Sequence, residues 1–174
     1  MANAGPKPMR VVSLADARAQ SRDDTKRHNM KPLPHLYEVT LFSTPKGYAT
    51  LLTDGVPALR SAPPKDFGGP GDAWSPEHLL IASVETCFLF TFRAVAEASK
   101  FDFLSLEVSG SGTVDRKDGA TRFIDIVLRA QLALPKDADP ERAKRMLEKG
   151  KNACLVTASL SVPVHLESEI VVES

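Results

Sequence analysis

Two cysteines and one glutamate are the side chains in this chain whose types and spacing point to chemistry. Cys87 and Cys154 are its only cysteines, 67 residues apart, and Glu77 precedes Cys87 by 10 residues. A thiolate can attack an O–O bond to give a sulfenic acid, and a second thiol can then close a disulfide, so two cysteines suffice for such a cycle. The thiolate needs a cation or a dipole beside it. A lone cysteine is also a small hydrophobe that suits a core, and the residue type alone leaves both readings open for Cys87. Glu77 can be an ordinary first-turn carboxylate or can orient a cation.

The element that must position them runs from Trp74 to Lys100. Ser75 suits an N-cap, Pro76 the first helical position and Glu77 the positive end of the dipole. Between Leu79 and Ala98 the charged residues are Glu85, Arg93 and Glu97. So apolar a helix is expected to be buried on most sides. On such a helix Glu77 and Cys87 lie within about a quarter turn of each other but ~15 Å apart along the axis, so they do not touch.

The rest of the chain reads as follows. Residues 1–35 carry seven Lys/Arg against three Asp/Glu and form an N-terminal arm, with a short polar helix expected over residues 14–27. Residues 36–174 form one domain. Leu36–Ser43, Tyr48–Thr53 and Val56–Ser61 read as a three-stranded meander, and Pro63–Trp74 as a Gly/Pro loop in which adjacent glycines allow close backbone approach. That loop carries neither GxGxxG nor GxxxxGKS, which argues against phosphate binding. Phe103–Arg116 and Thr121–Leu134 are strands joined at Asp118-Gly119. The second puts Ile124, Ile126, Leu128, Leu132 and Leu134 on one face, with Phe123 and Val127 opposite. Asp139 and Pro140 open a second helix for which Gly150 is the expected stop, Asn152–Leu160 carries Cys154 on a short helix or turn, and Val162–Glu173 is a last strand. The order βββ–α–ββ–α–β implies an α+β fold with mainly antiparallel sheet. One sheet covers one side of the long helix, so a second layer is required, most simply another subunit.

Composition narrows the function classes. The formal net charge is zero, which gives no reason to expect nucleic acid or membrane partners. No stretch reaches ~18 uninterrupted apolar residues, and no secretory signal is read at the N-terminus, so a cytoplasmic location is expected. His28, His35, His78 and His165 are scattered, without HExxH or CxxC, so no metal or cofactor is expected. A Cys–His hydrolase using His35 or His165 has no supporting spacing. Phe88, Phe90 and Phe92 are candidates to line an apolar ligand pocket, or to be core.

Ser75-Pro76-Glu77-His78-Leu79-Leu80 followed by Cys87-Phe88 resembles the OsmC/Ohr family of organic hydroperoxide reductases, whose pattern is Asn-Pro-Glu-x-Leu with a cysteine ten residues after the glutamate. Asp54-Gly55 and Pro64-Lys65-Asp66-Phe67-Gly68-Gly69 resemble the same family's lead-in, closest to its Ohr branch. Cys154 falls where that family has its resolving cysteine, and the resemblance spans roughly residues 36–172. It implies an intertwined homodimer with the cysteine helices in the middle. It also implies a thiol peroxidase in which Cys87 attacks an organic hydroperoxide, Cys154 forms a disulfide with it, and a dithiol or lipoylated-protein reductant resets the pair. Glu77 would hold an arginine against Cys87. The chain departs from the pattern at three places. Lys46 stands where the family has that arginine, with Arg60 as a possible substitute; Cys154 is followed by Leu155 instead of proline; and Glu85-Thr86 replace small residues before Cys87. The alternative is an OsmC-like protein without efficient peroxidase activity, binding an apolar ligand or reacting with thiols or electrophiles at the dimer interface.

Overall fold

The structure is a computed structural model, described over residues 31–173. The chain divides into the units Met1–Glu38 and Val39–Ser174. In the first unit, the described residues include a contact of the His35 ring with the Lys31 carbonyl at 2.9 Å. The helix expected over residues 14–27 lies outside the described residues.

The second unit opens with β1 (Thr40–Ser43), β2 (Ala49–Leu52) and β3 (Leu59–Ser61). They form an antiparallel meander in the order β1-β2-β3. Each strand is shorter than the sequence pattern indicates. Pro57 keeps the start of the third segment out of the ladder, because it has no N–H to donate.

The loop that follows contains a 3-10 turn, Lys65–Phe67, which the Gly/Pro content obscured. Gly68 ends that turn at φ 77°, in the left-handed region. A Cβ on Gly69 would sit 1.7 Å from the Pro63 carbonyl oxygen, so here the backbone approaches as closely as the paired glycines suggest. The loop is tied to the meander by Tyr48, whose hydroxyl donates to Asp72 at 2.9 Å, and by Arg60, which donates to the Asp72 carbonyl at 2.8 Å.

α1 spans Pro76–Ala98 with Ser75 as N-cap. The buried Ser75 hydroxyl accepts the His78 N–H at 3.2 Å, and the Ser75 N–H donates to His78 Nδ1 at 3.4 Å, a reciprocal cap. The buried residues of α1 are Val84, Phe88, Phe92 and Ala96, one stripe at a spacing of four. The expectation that the helix is covered on most sides is therefore corrected for the single chain: it is covered on one face, and Phe90 is 60% exposed. Phe88 and Phe92 are core; Phe90 points away, with the Arg93 guanidinium 5.7 Å from its ring centre. By length and composition α1 also qualifies as a membrane span, with a mean hydropathy of 1.7 that averages over its few charges. Its buried stripe packs into the core formed with the second sheet.

That sheet contains β4 (Ser105–Lys117), β5 (Ala120–Leu134) and β6 (Val164–Val172), in the order β4-β5-β6. β4 and β5 form a hairpin whose two-residue turn has positive φ at Asp118 and Gly119, as an Asp-Gly turn requires. The β4/β5 register shifts at Thr113/Val114, with Asp125 opposite Thr113 and Phe123 opposite Val114, leaving Ile124 unpaired. This bulge reverses the alternation beyond it, so Phe123 packs against the core with Ile126 and Leu128; the sequence pattern put it on the other face. Gly110 and Gly112 of β4 admit α1. A Cβ on Gly112 would lie 2.6 Å from the Phe123 ring and 2.7 Å from Ile81.

α2 (Pro140–Asn152) and α3 (Leu155–Ala158) connect β5 to β6. Asp139 caps α2 by accepting the Glu141 N–H at 2.9 Å. Gly150 does not stop α2. It lies within the helix and is buried, and a Cβ there would be 3.2 Å from Phe92 Cα, so the glycine serves close helix–helix packing. β6 runs parallel to β5, which makes the second sheet mixed and corrects the mainly antiparallel expectation for this pair. A helical crossover is long enough to return the chain in the same direction, and that length was the available signal. The whole is an α+β fold.

Candidate active site

Cys87 lies next to the buried stripe of α1, one residue before Phe88, and is half-buried. The crossover brings α3 to it. Cys154, 1% exposed, is the N-cap of α3 and takes an extended conformation at φ −71° and ψ 115°. An N-cap residue leaves the next N–H groups without partners inside the helix. One of these, the Val156 N–H, donates to Cys87 Sγ at 3.5 Å across 69 residues of sequence. On α1 itself the Thr91 hydroxyl lies 4.0 Å from the same sulfur, one turn on.

Cys87 and Cys154 are free cysteines, close enough that each affects the acidity of the other. Burial pushes the Cys87 thiol up, but the Val156 N–H, the Cys154 thiol, the Thr91 hydroxyl and the Leu155 N–H outweigh it and hold Cys87 below its ordinary range. Cys154 is driven the other way. Burial raises it most, and proximity to the Cys87 sulfur raises it further, against opposition from the Thr157 hydroxyl and N–H. The two thiols are thus separated in acidity, with Cys87 the readier thiolate. Leu155 can contribute its N–H because it is not proline, so this departure from the family pattern adds a donor.

The other predicted site residues lie elsewhere. Glu77 and Lys46 line one cleft of about 630 Å³ between the meander and the start of α1, along with Leu41, Leu51, Ala62 and Leu79. Glu77 Oε2 is buried without a hydrogen-bond partner among the described residues. Arg60 is engaged by Asp72, at 3.4 Å from its carboxylate, and lies 4.4 Å from the centre of the Tyr48 ring. The structure therefore brings α3, with Cys154 at its start, to Cys87, and places Lys46 and Glu77 in one cleft without an ion pair between them. The helical rise keeps the two pairs ~15 Å apart along α1 within one chain.

Glu85, which replaces a small residue, is partly buried against β4. Burial raises its carboxyl, and a hydrogen bond from the Gly110 N–H opposes this. Among the described histidines, His78 belongs to the α1 cap and His165 sits 3.1 Å from Asp125. No group of three or more His, Cys, Asp or Glu side chains among the described residues is arranged to hold a metal. The backbone donors of Leu155 and Val156, with Thr91 and Thr157, were missed from sequence. Thr91, four residues after Cys87 on a helix, was the one with a readable signal.

Comparison with known proteins agrees with this architecture. The chain is 27% identical over 109 residues to the uncharacterized protein YmaD of Bacillus subtilis (strain 168), a match covering 61% of this chain and 73% of that one. Its fold is similar to an OsmC-like protein from Mycoplasma pneumoniae, with a TM-score of 0.69, 16% identity and coverage of 80% and 99% of the two chains. It is also similar to an organic hydroperoxide resistance protein from Elizabethkingia anophelis, with a TM-score of 0.64, 19% identity and coverage of 81% and 100%. The family model described as OsmC-like protein matches residues 69–169, a segment that holds α1, both cysteines and nearly all of the second sheet, and the chain belongs to the OsmC-like family.

Proposed function

We propose that this protein is a thiol-dependent peroxidase that reduces organic hydroperoxides to alcohols. Membership of the OsmC-like family supports a redox role of the OsmC/Ohr type. The observation that carries the reading is the approach of α3 to the thiol of α1: the Val156 N–H donates to Cys87 Sγ at 3.5 Å, two residues after the buried Cys154.

In this reading the Cys87 thiolate attacks the terminal peroxide oxygen. The O–O bond breaks, the alkoxide takes a proton and leaves as the alcohol, and Cys87 becomes a sulfenic acid. The Cys154 thiolate then attacks the Cys87 sulfur, forming the disulfide and releasing the hydroxyl, which leaves as water once protonated. A dithiol or lipoylated-protein reductant returns both sulfurs to thiols by two exchanges.

The active form in this proposal is a homodimer. The uncovered apolar face of α1 calls for a second layer, and Glu77 Oε2 lacks a partner among the described residues. Two α1 helices packed antiparallel would carry the Lys46–Glu77 cleft of one subunit toward the Cys87 of the other, supplying the cation that one chain keeps distant.

A second reading is favoured because no guanidinium lines that cleft among the described residues: Arg60 is held by Asp72, and lysine lacks the planar fork that binds carboxylate and thiolate together. Cys87 would then react with electrophiles or thiols without efficient peroxide turnover. One experiment separates the two. Reduced protein receives one equivalent of cumene hydroperoxide, with peroxide and thiols counted, beside Cys87→Ser and Cys154→Ser. Rapid loss of one peroxide and two thiols, abolished in Cys87→Ser, is expected of the peroxidase. Thiols that outlast excess peroxide for many minutes would remove the peroxidase reading and leave the second one or the binding of an apolar ligand at the dimer interface.

A further inference from the structure

Thr157 takes no step in the chemistry proposed so far beyond its influence on the Cys154 thiol, yet its hydroxyl is buried without a hydrogen-bond partner among the described residues. An orphaned buried hydroxyl is costly and calls for a reason. Thr157 is the third residue of α3, and Cys154 is the N-cap of that helix. The N-cap and third-residue side chains of a helix face each other, as in a capping box. Here the side chain at the N-cap is a thiol, which accepts weakly while protonated and strongly as a thiolate. As a thiol Cys154 makes no side-chain cap hydrogen bond, yet Thr157 acts to lower it against the burial that raises it. A donor that is under-used while the thiol keeps its proton becomes fully used when the proton leaves. α3 thereby divides its donors, Leu155 and Val156 serving Cys87 and Thr157 serving Cys154.

We propose that Thr157 is a positioning residue for the second thiol: its buried hydroxyl holds Cys154 Sγ, as the thiolate, in place to attack Cys87. This rests on the reading that Cys154 closes a disulfide on Cys87, and the test is chosen to need no peroxide. Reduced protein is mixed with one equivalent of the aromatic disulfide dithiobis(nitrobenzoate). The Cys87 thiolate attacks it, forming a mixed disulfide and releasing one thionitrobenzoate. Cys154 gives its proton to solvent and its thiolate attacks the Cys87 sulfur, forming the Cys87–Cys154 bond and expelling the second thionitrobenzoate. The colour appears in two phases, and the second reports Cys154 alone.

Thr157→Val is expected to slow the second phase about tenfold, as loss of a hydrogen bond to a charged group should, and to leave the first within about twofold. Thr157→Ser should restore the rate. Thr157→Ala provides the same loss without the added methyl if the valine variant folds poorly, and an unchanged first phase certifies the fold. A second phase at the unsubstituted rate in both Thr157→Val and Thr157→Ala overturns the proposal, as does a serine variant as slow as the valine one. Failure to consume cumene hydroperoxide, with the two phases still responding to Thr157, would instead remove the peroxidase reading and leave the role of Thr157 standing.

Discussion

The Val156 N–H donates to Cys87 Sγ at 3.5 Å, so the backbone of a four-residue helix serves a thiol on a helix of 23 residues elsewhere in the chain. With the Leu155 N–H and the Thr91 hydroxyl it favours the charged form of Cys87. The alkylation rate of Cys87 by iodoacetamide should therefore rise with pH through a midpoint below the ~8.5 of a free cysteine. Leu155→Pro removes one N–H at a first helical position that tolerates proline, and Thr91→Val removes the hydroxyl. Each loses a donor to the anion, so each should move the midpoint upward and slow alkylation at neutral pH. A midpoint that stays put in both variants would show that these donors do not tune the thiol.

Covering α1 with a second copy predicts a particle of twice the chain mass of 18.9 kDa. Phe90, 60% exposed in the single chain, is the natural probe. Phe90→Glu is expected to shift the sedimenting species to the monomer and, if the cleft of one subunit serves the Cys87 of the other, to slow single-turnover peroxide loss by at least about tenfold. A dimer that persists in Phe90→Glu would place the interface on another face.

The cleft residues make a separate prediction. Glu77→Gln and Lys46→Ala should each slow Cys87 oxidation by about tenfold, the size expected from losing one hydrogen-bonded charge. If the two side chains act as one unit, as proposed, the losses in the double variant should fall short of additive. Stopped-flow peroxide consumption across this cycle measures the coupling. Additive losses would mean that the two do not act together.

Stability rests on close approaches that the sequence marks with glycine. Gly112→Ala sets a methyl 2.6 Å from the Phe123 ring, and Gly69→Ala sets one against the Pro63 carbonyl. Overpacking of this kind costs about 1–3 kcal/mol. For a chain of this size that lowers Tm by roughly 2–4 °C per kcal/mol. Ser75→Ala removes the buried cap hydroxyl and should cost about 1 kcal/mol. Thermal melts followed by circular dichroism would test all three, and the ranking should place Gly69→Ala lowest, because it meets rigid backbone.

Much of the molecule was legible in the chain because its signals are local. Ser75-Pro76 starts a helix, Asp118-Gly119 turns a hairpin and Asp139-Pro140 starts the next helix, each through the conformation of a few adjacent residues. The spacing of Glu77 and Cys87, and the existence of a second cysteine, also belong to the sequence alone. What only the tertiary structure decided depends on contacts between distant segments. A bulge opposite Val114 turned Phe123 to the core, and the backbone of Phe92 made Gly150 a packing position inside α2. Asp72 drew Arg60 away from the candidate cations, and the crossover laid the N–H of Val156 on Cys87. A backbone donor has no side-chain signature, so no residue type at 155 or 156 could announce that role. It arises because β6 returns parallel to β5, and the segment that makes this return passes α1 at the level of the thiol.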